Sequence, residues 1–167
     1  RCVEESMKKI MEEFGGDQAA TNTVSSNSER RGMIVVDGSN LLRGSSVAGM
    51  QAVLKTMISK HYGAKLFFDA NILHCLADNN DNDGKAYVER ILKTKKYGAV
   101  LVPAGSRADD FILQYADRKE AHVLSNDRYL QYVERYPWIK EGRIHHFLYD
   151  DGRISIPELE IDVKVSG

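Results

Sequence analysis

Asp37, Asp69, Asp109, Asp110 and Asp127 are the residues of this 167-residue chain best placed to do chemistry together. Asp37 ends the apolar run MIVV (33–36), and Asp69 ends KLFF (65–68). Asp127 closes Ser125-Asn126-Asp127 after HVL (122–124), and the pair Asp109-Asp110 follows AVLV (99–102) across a short loop. Unbroken apolar runs bounded by turn residues read as strands buried on both faces. Parallel strands in an open sheet end on one common edge, where ligands bind. Acids distant in sequence would therefore meet there. Clustered carboxylates raise one another's pKa unless a cation intervenes. A donor set made only of oxygen suits Mg²⁺ or Mn²⁺. Such an ion in an acidic cluster is suited to phosphodiester hydrolysis by water.

Asp37, Asp110 and Asp127 are the leading candidate ligands. Asp109 is a further ligand or orients one, and Asp69 is a possible extra acid. Asp109 and Asp110 open a helix, whose N-terminus favours negative charge by about 0.3–1 kcal/mol. Asn40 is placed to hold a carboxylate or a bound water through its amide. Ser39 and Ser125 are candidates for helix caps or phosphate contacts. Arg43, Arg107 and Arg128 neighbour the acidic motifs and suit phosphate. Lys93, Lys95 and Lys96 read as ordinary surface charge. The adjacent His145 and His146 invite acid–base catalysis without metal, but neighbouring strand residues point to opposite faces.

The elements that position these groups alternate. After a helix over 3–14 and a Gly/Ser/Thr/Asn-rich linker to Arg31, strands near 33–36, 65–69, 99–102 and 122–124 are separated by helices near 47–61, 85–95, 108–119 and 128–136. A strand and a hairpin turning at Asp150-Asp151-Gly152 follow over 144–157. The acidic loop Asp78–Asp83 reads as a solvated turn, and Trp138 as a core anchor. This order predicts an α/β fold, a three-layer sandwich on a mostly parallel central sheet of about five strands. Residues 1–31 form an N-terminal helix and linker, and 32–167 the domain with its C-terminal hairpin.

Lys and Arg total 23 against 24 Asp and Glu, a net charge of -1, so the chain is no simple basic nucleic-acid binder. Its two cysteines, Cys2 and Cys75, make neither a zinc motif nor a disulfide framework and fit a reducing, cytoplasmic location. No apolar run approaches the roughly 20 residues that span a bilayer.

IVVDGSNLL (34–42), ADDFILQYA (108–116) and HVLSNDRY (122–129) together resemble the Regnase-type NYN endoribonuclease domain, a branch of the PIN-like nucleases. The resemblance covers about residues 32–150. It implies a PIN-like fold, metal-site roles for Asp37, Asp109, Asp110 and Asp127, and support from Asn40. It also implies Mg²⁺-dependent cleavage within single-stranded or loop RNA, in mRNA turnover or RNA silencing, and self-association or pairing with a related NYN domain. The cysteines of the zinc finger that follows this domain in several relatives are absent. Two other readings compete. The fold could serve as a catalytically weak RNA-binding or protein-adaptor domain. Alternatively, Asp37 could be a phosphotransfer nucleophile; that chemistry usually needs a second Asp two residues on, where this chain has Ser39.

Overall fold

The structure, a computed structural model, describes residues 2–13 and 30–165. Most of the expected linker therefore lies outside the described residues. Helix α1 (Cys2–Glu13) comes first, then β1 (Arg31–Asp37), α2 (Gly38–Gly44), α3 (Val47–Ser59) and β2 (Tyr62–Phe68). Next are α4 (Ile72–Asp78), α5 (Asn82–Thr94), β3 (Val100–Leu101), α6 (Ala108–Lys119) and β4 (His122–Leu124). The strands β5 (Ile144–His145), β6 (Leu148–Asp150), β7 (Arg153–Ile156) and β8 (Ile161–Lys164) complete the order.

Five strands form one parallel sheet in the order β3-β2-β1-β4-β5. Alternation along β1 divides the core. Ile34 and Val36 face one layer, with Leu66 and Phe68 of β2, Leu41 of α2, Met50, Val53, Leu54 and Met57 of α3, and Val88 and Ile91 of α5. Val35 faces the other, with Phe67, Val123 and Phe111, Ile112 and Tyr115 of α6. Met7 and Ile10 of α1 are buried in this second cluster, so the N-terminal helix covers the same side as α6. The result is the expected α/β fold with a layer on each face of a parallel sheet.

Two local expectations change and a third, the hairpin, holds. Residues 128–136 form no α-helix; a single 3-10 turn spans Leu130–Tyr132. Tyr129 takes a left-handed backbone (φ 52) before it, and Pro137 follows at the other end, so neither side continues a helix. The acidic loop is not merely solvated. Asp81 caps α5, its Oδ1 accepting the Gly84 N–H at 2.8 Å, and this starts the helix at Asn82. The hairpin turns at Asp151 (φ 46) and Gly152 (φ 70), the positive angles that a two-residue turn matched to strand twist needs. It joins β8 in a separate antiparallel sheet, β6-β7-β8, whose Ile154, Ile156 and Ile161 extend the first core layer.

Candidate active site

β1 and β2 pair with Asp37 opposite Phe67, and β1 and β4 pair with Val36 opposite Leu124. Asp37, Asp69 and the Ser125–Asp127 loop consequently leave the sheet along one edge. A close approach of backbones sets the first motif. A Cβ at Gly38 would lie 2.7 Å from the Phe68 ring and 3.0 Å from the Phe67 carbonyl, so only glycine lets α2 start against β2. That approach brings the Ser39 hydroxyl to the Asp69 backbone N–H, which donates to it at 2.9 Å. Asp37 caps α2, its Oδ1 accepting the Asn40 N–H at 3.2 Å.

Asp37 is only 7% exposed. Its Oδ2 accepts the Ser125 hydroxyl at 3.1 Å and the Tyr129 hydroxyl at 3.0 Å. Burial pushes the Asp37 carboxyl above its ordinary range, and the three donors pull against that rise. Asp127 sits on the same loop. Its N–H donates to the Ser125 oxygen at 3.1 Å, and its Oδ1 accepts the Tyr129 N–H at 2.7 Å, an Asx turn. Asn40 Oδ1 accepts the Asn126 N–H at 2.9 Å, and Asn126 Oδ1 accepts the Phe147 N–H at 2.9 Å. The His146 ring N–H at Nδ1 donates to the Ser125 carbonyl at 2.8 Å. Asn40 thus holds the loop that carries Asp127, where the sequence placed it on a carboxylate or a water.

The helix α6 contributes the third part. Burial, then the charges of Asp127, Asp37 and Asp69, push the Asp109 carboxyl up to about 6, while Arg107 opposes the rise. Asp37, Asp69, Asp109 and Asp127 are therefore one electrostatic cluster. Asp110 turns elsewhere and receives the Tyr132 hydroxyl. The charges of both Asp110 and Asp109 act on that hydroxyl. The sequence ranks Asp110 above Asp109; in the structure the Asp109 carboxyl feels the charges of Asp127, Asp37 and Asp69. Asp69 already has a counter-charge, Arg43 Nη2 at 2.7 Å. Arg107 lies 3.7 Å from Asp109 with most of its side chain exposed, and Arg128 is exposed beside Asp127.

Ser39 and Ser125 are 1% and 0% exposed, with their hydroxyls engaged inward. They offer no surface to a phosphate, so their expected RNA contacts give way to a role in holding the acidic loops. Of the histidine pair, His145 is buried against Glu158 and His122, and His146 is exposed on the other side. Trp138 is buried as expected, its Nε1–H donating to Asp117 at 2.9 Å. Sequence reasoning assigned no part to Tyr129 or Asn126. The available signal was Tyr129 two residues past an Asp, the spacing of an Asx turn.

The donor set is all carboxylate, and the repulsion felt by Asp109 is what a hard divalent cation relieves. Among the described residues no three His, Cys, Asp or Glu side chains converge closely enough to enclose an ion by themselves. The residues fit an ion held by one or two carboxylates with water completing its shell, the habit of Mg²⁺.

The profile of the Zc3h12a-like ribonuclease NYN domain matches residues 30–159, which span β1 to the turn before β8. The chain belongs to this family. Two structures of Arabidopsis thaliana nuclear protein-only RNase P 2 (PRORP2) resemble the NYN domain in fold. One has a TM-score of 0.54 at 15% identity, covering 92% of this chain and 37% of that one. The other has 0.54 at 16%, covering 92% and 36%. The NYN domain thus spans little more than a third of PRORP2's length. The PIN domain endonuclease Utp24 aligns at 18% identity over 75% of this chain and 90% of its own, with a TM-score of 0.40. Among curated proteins no sequence matches the chain. Among its described residues the NYN domain has no helix long and apolar enough to cross a membrane.

Proposed function

We propose that this NYN domain is a divalent-metal-dependent endoribonuclease that hydrolyses internal phosphodiester bonds of single-stranded or loop RNA. The observation that carries the reading is the placement of Asp37, Asp109 and Asp127, from three different elements, along one sheet edge, where the charges of Asp37 and Asp127 act on Asp109. Membership of a ribonuclease family supports RNA as the substrate.

In this mechanism one or two carboxylates among Asp37, Asp109 and Asp127 would hold Mg²⁺ or Mn²⁺, with water completing its shell, and Asp69 adds negative charge screened by Arg43. When bound, the cation supplies charge neutralisation at the phosphate and a more acidic water. The chain's own groups do the rest. Asn40, Ser125 and Tyr129 keep two carboxylates at fixed separation before substrate arrives, which is the preorganisation that lowers a barrier. Arg107 and Arg128 project from the rim and contact flanking phosphates. Leu130, 61% exposed on the turn after Asp127, presents an aliphatic surface to a nucleobase. Asp110 takes a supporting place through Tyr132. The setting proposed is cytoplasmic mRNA turnover or RNA silencing. Self-association belongs to the same proposal and is checked by mass in solution by light scattering.

The test is cleavage of an end-labelled single-stranded RNA with Mg²⁺, Mn²⁺ or EDTA, beside Asp37→Asn. Asn keeps an oxygen for the Asn40 N–H, so the variant should fold, as circular dichroism would confirm. Internal cutting that needs metal and falls at least about 100-fold in the variant is expected. Folded wild-type protein that cuts under no metal would favour the RNA-binding or adaptor alternative.

A further inference from the structure

Two carboxylates of the cluster are joined through one residue that belongs to neither motif's acids. Tyr129 is fully buried and lies 92 positions from Asp37. Its hydroxyl donates to Asp37 Oδ2 at 3.0 Å, and its backbone N–H donates to Asp127 Oδ1 at 2.7 Å. Ser125 makes the matching link from the other end of the loop, donating to Asp37 Oδ2 at 3.1 Å and accepting the Asp127 N–H at 3.1 Å. Asp37 Oδ2 therefore receives two side-chain donors from one loop, while Oδ1 receives the single, longer bond from Asn40 at 3.2 Å.

Three features argue that this is more than core packing. Tyr129 holds a left-handed backbone (φ 52, ψ 34), a conformation costly for a bulky side chain. That conformation lets its N–H point at Asp127 while its ring runs inward to Asp37. A phenylalanine would fill the same space, so the hydroxyl is there for the carboxylate. Finally, with Oδ2 of Asp37 and Oδ1 of Asp127 engaged by the loop, Asp37 Oδ1, which accepts only the longer Asn40 bond, and Asp127 Oδ2 have lone pairs left for the site.

We propose that Tyr129 is a positioning residue which, with Ser125, clamps Asp37 to the Asp127 loop and so orients one oxygen of each carboxylate toward the cation. The proposal rests on the metal-site reading above. Partners of this kind, behind the ligands themselves, typically change metal affinity or activity 10- to 100-fold when removed, on the order of other such sites.

The test is Tyr129→Phe on the full chain, with Mn²⁺ as the probe. Three quantities are read: the Mn²⁺ dissociation constant by titration calorimetry, the melting temperature in EDTA, and kcat and KM on single-stranded RNA. Removing one hydrogen bond to a charged group should lower the melting temperature in EDTA by roughly 3–10 °C. A purely structural tyrosine would do the same, so that reading does not discriminate. The expected result is Mn²⁺ binding weakened roughly tenfold or more, with kcat lowered and KM for RNA little changed. Folded Tyr129→Phe with the wild-type Mn²⁺ dissociation constant overturns the proposal. Should Tyr129→Phe fail to fold in EDTA, Ser125→Ala carries the same comparison: weaker Mn²⁺ binding supports the clamp, and unchanged binding overturns it. Wild-type protein that binds no Mn²⁺ would overturn the metal-site reading itself and the clamp with it.

Discussion

Replacing Asp109 by Asn should make the metal-free protein more stable. Burial and the charges of Asp127, Asp37 and Asp69 raise this carboxyl from 3.8 to about 6 in the folded state. Between those values the folded chain binds more proton than the unfolded chain, so stability falls as pH rises through the window. Above about pH 6 the full penalty is present; below about pH 4 it is absent. A rise of about 2 units corresponds to a ceiling of ~3 kcal/mol. The side chain is 19% exposed, so solvent screens part of this, and the weak Arg107 contact at 3.7 Å is lost with the charge. A gain of about 1–3 kcal/mol is expected, or roughly 2–12 °C in a domain of this size. The assay is thermal unfolding of wild type and Asp109→Asn in EDTA from pH 8 to pH 4. The variant should melt higher at pH 8, and the difference should close as pH falls. Adding Mn²⁺ should raise the wild type and leave the variant nearly unmoved, narrowing the gap from the other side. A variant no more stable than wild type at pH 8, or a difference that ignores pH, would refute the claim that Asp109 sits in a repulsive cluster.

Arg107→Ala and Arg128→Ala should each weaken RNA binding and reduce the steepness of its salt dependence by about 0.7 in log–log slope per lost single-strand contact. Filter binding across a salt series checks this, and Mn²⁺ affinity should stay near wild type, since neither side chain is a ligand. At the opposite end of β4, His122 is held below its ordinary pKa, first by burial and then by His145 and Arg143, with Glu158 opposing. Because the unfolded histidine binds protons more readily, this group's contribution is complete above about pH 6.5 and is lost on acidification. His122→Gln should accordingly gain on wild type in melting temperature as pH falls from 7 toward 5, while equal slopes for the two proteins would count against the assignment.

How far the site was readable follows from which forces are local. Strands announced themselves because burial on both faces leaves unbroken apolar runs, and three of the four runs carried an acid just past the end that the parallel sheet turns to one edge. The different settings of Asp109 and Asp110 were present too. Along α6, Asp109 shares a side with Ile112, Leu113 and Ala116, all buried, whereas Asp110 aligns with Gln114 and the exposed Asp117. A helical wheel of 108–119 therefore places Asp109 on the side of the buried residues, with Asp110 half-buried beside it. β8 was less accessible, since four alternating residues are too few to stand out from a loop. The clamp was least accessible. The bonds from Ser125 and Tyr129 to Asp37 cross 88 and 92 positions, and the residues making them look like loop and core. Local pattern reports where carboxylates gather; what holds them apart at a usable distance is written only in the tertiary fold. That is why Tyr129→Phe, which changes neither the sheet nor a single acid, is the sharper probe of whether this edge was built to hold a cation.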